Sequence, residues 1–116
     1  ELVEYGSIWR MGANEGTELE IFRDAKIGNV RVKKGRYSLF AIPLESKWTI
    51  ILNKDTDTWG AFKYDAKKDV VRLDVPVLRD GEETEALGIF FEKSNNSINM
   101  VIGWDDELVK VPLSFF

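Results

Sequence analysis

An indole, a guanidinium, an amide and a carboxylate fall within seven residues in Trp9-Arg10-Met11-Gly12-Ala13-Asn14-Glu15. Arg10 offers a planar fork of donors suited to a carboxylate, a phosphate or a sugar hydroxyl. Asn14 supplies a donor and an acceptor, Glu15 an acceptor or a base, and Trp9 a face on which a ligand can stack. The same residues have an architectural reading. Trp9 then plugs the core, Arg10 and Glu15 pair with each other or with neighbours, and Asn14 caps a turn. Both readings place the segment in a loop, which is where a rigid β-scaffold carries its chemistry.

Other candidates are weaker. In Trp59-Gly60-Ala61-Phe62-Lys63-Tyr64, Trp59 and Tyr64 flank a glycine and could form a stacking platform for a sugar ring, or be core and rim aromatics. Asn53, Asp55 and Asp57 alternate like the first ligands of a calcium loop. That loop needs Gly at its sixth position and Glu at its twelfth, where Thr58 and Tyr64 stand, so the motif fails and a solvated, capped turn is the simpler reading. Lys33-Lys34-Gly35-Arg36, with Arg31, is a short basic run that reads as a solvated hairpin tip. Asp105-Asp106-Glu107 reads as a charged turn. Glycoside hydrolysis needs only two carboxylates, but with 20 acids in the chain some pair always falls at a plausible separation. Glu15 is the one carboxylate nominated, for its mixed polar and aromatic loop.

Composition narrows the chemistry. The chain of 116 residues has no Cys and no His, so disulfides, thiol catalysis, a Ser-His-Asp triad and a histidine-ligated zinc are all excluded within it. No cofactor and no metal site is expected. Net charge is −4 with both signs interspersed, which argues against a nucleic-acid partner. No apolar run approaches the ~20 residues of a transmembrane segment. With 44% hydrophobic residues, the chain can bury one core, and residues 1–116 are expected to form a single domain.

The elements that must position these groups are strands. Period-two alternation recurs, and helical periodicity is nearly absent. Val71, Leu73, Val75 and Val77 share one face; so do Ile98, Met100, Ile102 and Trp104, then Val109, Val111 and Leu113, and Leu87, Ile89 and Phe91. Tyr37–Ile42 and Trp48–Leu52 are β-branched and aromatic runs of strand length. Gly28-Asn29 joins Ala25–Ile27 to Val30–Val32 as a two-residue hairpin turn. Asp80-Gly81 and Asn95-Asn96 mark further turns, and Asp105-Asp106 joins a last hairpin. Asp65–Asp69 suits one helical turn. Pro76 and Pro112 lie inside strand runs, which predicts edges or bulges there. The expectation is an all-β fold, an antiparallel β-sandwich of jelly-roll-like kind with about eight or nine short strands.

Trp9-Arg10-x-Gly12-Ala13-Asn14-Glu15, Lys34-Gly35-x-Tyr37-Ser38-Leu39-Phe40-x-Ile42-Pro43, Trp48-Thr49-x-Ile51-x-Asn53-Lys54-Asp55 and Trp59-Gly60-Ala61 occur in that order. Together, and with Val109–Leu113 at the end, they resemble domain-of-unknown-function family 2911, small bacterial proteins usually made with an export signal. The resemblance implies an all-β, sandwich-like domain outside the cytoplasm, in the periplasm or on the cell surface, and implies no activity. Members usually carry a further strand-like segment before Leu2, so an N-terminal segment of the full protein is expected to be missing. Members usually have a small polar residue at Met11 and Ala at Gly16. The pattern also explains Gly35 beside Tyr37: glycine permits a positive φ in the turn, and Tyr37 can bury its ring while its hydroxyl reaches backbone, as tyrosine corners do.

Three functions follow as expectations. The first is non-catalytic binding of a small polar ligand or glycan at Trp9, Arg10, Asn14, Glu15 and Trp59. The second is a carboxylate-dependent hydrolase using Glu15. The third is a structural or protein-interaction domain, which an exposed apolar edge at Leu113–Phe116 would favour. The oligomeric state is open.

Overall fold

The computed structural model describes residues 6, 8–11, 17–56, 63–95 and 97–116, and omits the side chains of residues 9, 10, 80–86 and 94. Nine strands form two antiparallel sheets among the described residues. The first sheet holds β1 (Trp9–Arg10), β2 (Glu18–Ile21), β5 (Gly35–Pro43), β6 (Lys47–Asn53) and β7 (Asp69–Pro76). Its order is β1-β5-β6-β7, and β2 also pairs with β5. The second sheet is β4-β3-β9-β8, from β3 (Ala25–Ile27), β4 (Val30–Val32), β8 (Leu78–Ser94) and β9 (Ser97–Phe115). A 3-10 turn at Ala66–Lys68 is capped by the Asp65 side chain, as the Asp65–Asp69 spacing predicts. No helix among the described residues is long and apolar enough to cross a membrane.

Alternation decides the core. Leu39, Ala41, Ile50, Leu52, Val71 and Val75 of the first sheet meet Met100, Ile102, Val109, Val111 and Leu113 of the second in one buried cluster, with Trp48 fully buried among them. This is the two-layer arrangement that strands with one apolar face require. The predicted faces hold for β7 and for both halves of β9. Leu87 and Ile89 pack on the core, but Phe91, on the same face, stays exposed.

The Gly28-Asn29 turn is as expected: Gly28 takes φ +57° and Ile27 pairs with Val30, the II′ geometry that matches strand twist. Asn95 has φ +50° in the turn that joins Ser94 to Ser97. The Tyr37 ring is buried and its hydroxyl donates to the Lys33 carbonyl at 2.6 Å, the corner expected beside Gly35. Pro76 ends β7, the outer strand of its sheet. Pro112 lies beyond Leu108, where pairing with β8 has already stopped, so its missing N–H interrupts no ladder on that side.

Three expectations are corrected. Asp80-Gly81 does not reverse the chain; it lies inside β8, where the register slips between Arg79 and Thr84 and again between Thr84 and Gly88. Asp105-Asp106 does not join a hairpin; it lies inside β9, and Asp105 absorbs the irregularity at φ +58°. Glu107 is no charged turn residue. It is buried and accepts from the Trp48 indole N–H at 3.3 Å. Asp and Gly serve bulges as readily as turns, because both tolerate the left-handed conformation a bulge needs. The strands are therefore not all short: β8 has 17 residues and β9 has 19.

Candidate functional site

The Trp9–Glu15 motif begins in a strand, β1. Trp9 pairs with Ala41 and Arg10 with Phe40. Thr17 meets the same edge of β5: its carbonyl accepts from the Leu39 N–H at 2.9 Å, and Glu18–Ile21 pair onward with Ser38–Gly35. Strands β1 and β2 thus pair along one edge of β5. The Thr17 N–H donates to the Met11 carbonyl at 2.8 Å. Met11 is fully buried in the core. Of the nominated residues, Trp9 and Arg10 are placed by backbone only, and Asn14, Glu15 and Trp59 lie outside the described residues.

Arg10 occupies a cross-strand row that runs Arg10, Phe40, Ile51, Arg72. Phe40 and Ile51 alternate with the core residues Leu39, Ala41, Ile50 and Leu52, so their face looks away from the sandwich. They are nevertheless buried. Tyr64 covers part of this face, its ring meeting Phe40 edge-on at 5.1 Å between centroids. The Tyr64 hydroxyl donates to the Asp69 carboxylate. Arg72 donates through Nη2 to the Tyr64 oxygen at 3.3 Å and through Nε to Asp69 at 3.0 Å. Burial, and then the bond to Asp69, raise the Tyr64 phenol above its ordinary pKa, so it stays a donor.

The segment that carries Tyr64 is organised by Asn53, which is fully buried. Its amide donates to the Asp65 carbonyl at 2.9 Å and to the Asp69 carboxylate at 2.8 Å, while its oxygen accepts from the Asp55 N–H at 2.8 Å. The Ser38 hydroxyl donates to the Asp55 carbonyl, and Lys68 pairs with the Asp55 carboxylate at 3.0 Å. Asn53 and Asp55, the start of the calcium-like ladder, thus hold the chain itself. Asp57 lies outside the described residues.

An open recess of about 470 Å³ results, lined by Asp55, Lys63, Tyr64, Asp65 and Ala66. It offers an ammonium, an aromatic edge and carboxylate acceptors, a set suited to hydroxyls and carboxylates. The carboxylates here already have partners: Asp55 has Lys68, Asp65 the Lys67 N–H at 3.0 Å, and Asp69 its three donors.

The Tyr64 ring packs on Phe40 while its edge lines the recess. Asp69 and Arg72 were not nominated from sequence. The only signal for Arg72 was its outward position in an alternating strand, which many surface residues share. Asp69 was visible only as the end of a helical turn.

Compared with known proteins, the chain matches a family model described as "Protein of unknown function (DUF2911)" over residues 1–113. No curated protein and no solved structure matches it.

Proposed function

The chain belongs to the DUF2911 family, and from that premise we propose that it is a non-catalytic domain that binds a small polar ligand, a glycan fragment or a carboxylated molecule, on the outer face of its first sheet. The observation that carries this reading is the recess at Lys63 and Tyr64, joined through Phe40 to the row that contains Arg10. On this reading two motifs far apart in sequence serve one face, with Arg10 and Lys63 as anchors for an anion or hydroxyl. Asn14, Glu15, Trp9 and Trp59 complete the proposed site.

Binding is favoured over hydrolysis because a general acid or base must be free to exchange its proton. Asp55, Asp65 and Asp69 are each held as acceptors by a donor of the fold. The hydrolase alternative rests on Glu15 alone. Turnover on a glycoside and ester panel that Glu15→Gln abolishes would establish it. Export belongs to the same proposal, and fractionating cells that make the full-length protein tests it.

The binding test is thermal unfolding across a panel of oligosaccharides and small carboxylates. A ligand at 100-fold its Kd adds about 2.7 kcal/mol, a rise of several degrees. Arg10→Ala and Lys63→Ala are expected to keep the unliganded midpoint and lose that rise. Unfolding of Arg10→Ala without ligand would make Arg10 architectural. A panel with no shift for the unmodified protein would overturn the proposal.

A further inference from the structure

Phenylalanine is among the residues most often buried, yet five of the six described phenylalanines are exposed: Phe22, Phe90, Phe91, Phe115 and Phe116. Phe22 is the most open, at 77%. Three of them are not scattered. Phe22, Phe91 and Phe115, with Leu19 and Ile21, line one groove of about 220 Å³ whose walls are almost wholly apolar. Arg23 stands at its rim, its guanidinium 5.8 Å from the Phe115 ring centre, and Arg31 lies 4.5 Å from the ring centre of Phe116.

Charge is segregated around the same place. Residues 22–36 carry six bases (Arg23, Lys26, Arg31, Lys33, Lys34 and Arg36) against one acid, Asp24. The rest of the chain holds 19 acids and ten bases, so a segment of charge +5 sits in a molecule of −4. All six bases are exposed. Lys26 pairs in register with Arg31, and both neighbour the Phe115–Phe116 end of β9. The acids facing this region are Asp24, which takes the Lys34 N–H at 2.9 Å and lies 3.8 Å from Arg31, and Glu18 and Glu20, each of which pairs with Arg36 at 3.4 Å.

We propose that this face docks on an anionic lipid bilayer. Exposed phenyl rings enter the boundary between headgroups and acyl chains, and the surrounding lysines and arginines meet lipid phosphates. An apolar groove of this size admits a ring or a short length of alkyl chain, as dry apolar cavities of ~150 Å³ admit benzene. The charge selects this partner over a second copy of the chain, because two such faces would set one positive excess against another. The rings select a bilayer over a purely polar polyanion, which would leave the phenyl groups of the groove in water. The surface is separate from the recess at Lys63 and Tyr64, and the inference does not depend on the binding reading.

Co-sedimentation of the protein with vesicles tests it, using phosphatidylcholine alone and phosphatidylcholine mixed with phosphatidylglycerol. Binding is expected to the mixed vesicles only and to fall with added salt. Lys26→Glu with Arg31→Glu is expected to weaken it by roughly tenfold or more. Phe22→Ser with Phe91→Ser should also weaken it while leaving the thermal midpoint unchanged, because both rings lie outside the core. Three results would overturn the proposal: no binding to mixed vesicles at low salt by the folded protein; binding indifferent to the phenylalanine pair, which is plain electrostatic adsorption; or a dimer in light scattering that Phe22→Ser dissolves, which makes a second copy the occupant.

Discussion

At the residue scale, a few side chains tie distant backbone together, and their removal should register out of proportion to their size. Asn53 makes three hydrogen bonds from a fully buried position, to Asp55, Asp65 and Asp69. Asn53→Ala leaves those groups without their amide partner, and about 3 kcal/mol of stability is expected to go, read as a lower urea midpoint at unchanged slope. Protonation has a defined sign. The Thr49 hydroxyl, then Lys47, hold the Asp74 carboxyl below its usual range; Lys110, then Asn99, do the same for Glu92. A carboxyl with a depressed folded pKa contributes stability that is present above its unfolded pKa, near ~4, and is lost as pH falls through the folded value. The midpoint should therefore drop as the solution is acidified below that point, and Thr49→Val should flatten the drop. At the alkaline end, burial first raises the phenols of Tyr37 and Tyr64, and a raised group contributes stability that is lost as pH climbs through its folded pKa. Ultraviolet titration should find both ionising later than a model phenol.

At the element scale, the edge of β5 shared by β1 and β2 and the bulges of β8 and β9 were the features least visible in sequence. Strand alternation is written residue by residue, because side chains two apart share a face. The merging of Ile98–Trp104 and Leu108–Leu113 into one strand is not, because Asp105-Asp106 satisfies both a turn and a bulge. Only the pairing with β8 selects the bulge. Asp105 holds φ +58°, so Asp105→Gly is expected to be neutral or stabilising by up to about 1 kcal/mol. Gly28 is the opposite case. Its φ is +57°, and a Cβ there would come within 2.8 Å of the Leu73 side chain. Leu73 can yield, but the backbone cannot, so Gly28→Ala should cost about 1–2 kcal/mol in thermal or urea unfolding.

At the scale of the whole molecule, two sheets share one core, and β9 pairs with both β3 and β8. Unfolding should then be one cooperative transition, with circular dichroism and tryptophan fluorescence coinciding, and refolding should fall in the slow range of sandwiches, about ms–s. The sequence by itself determined the all-β class, the faces of the strands, the Gly28-Asn29 turn, the Tyr37 corner and the family, along with the exclusion of His and Cys chemistry. Each of these is a local property: a period of two, a turn dipeptide, an ordered motif, a missing residue type. Tertiary structure alone decided that Tyr64, Asp69 and Arg72 meet over Phe40, that Glu107 is buried against Trp48, and that a basic run legible as a solvated hairpin tip stands beside a cluster of open phenyl rings. Those contacts join residues from different strands and loops, and their partners are chosen by register and by the closing of two layers. A single chain read in order carries neither.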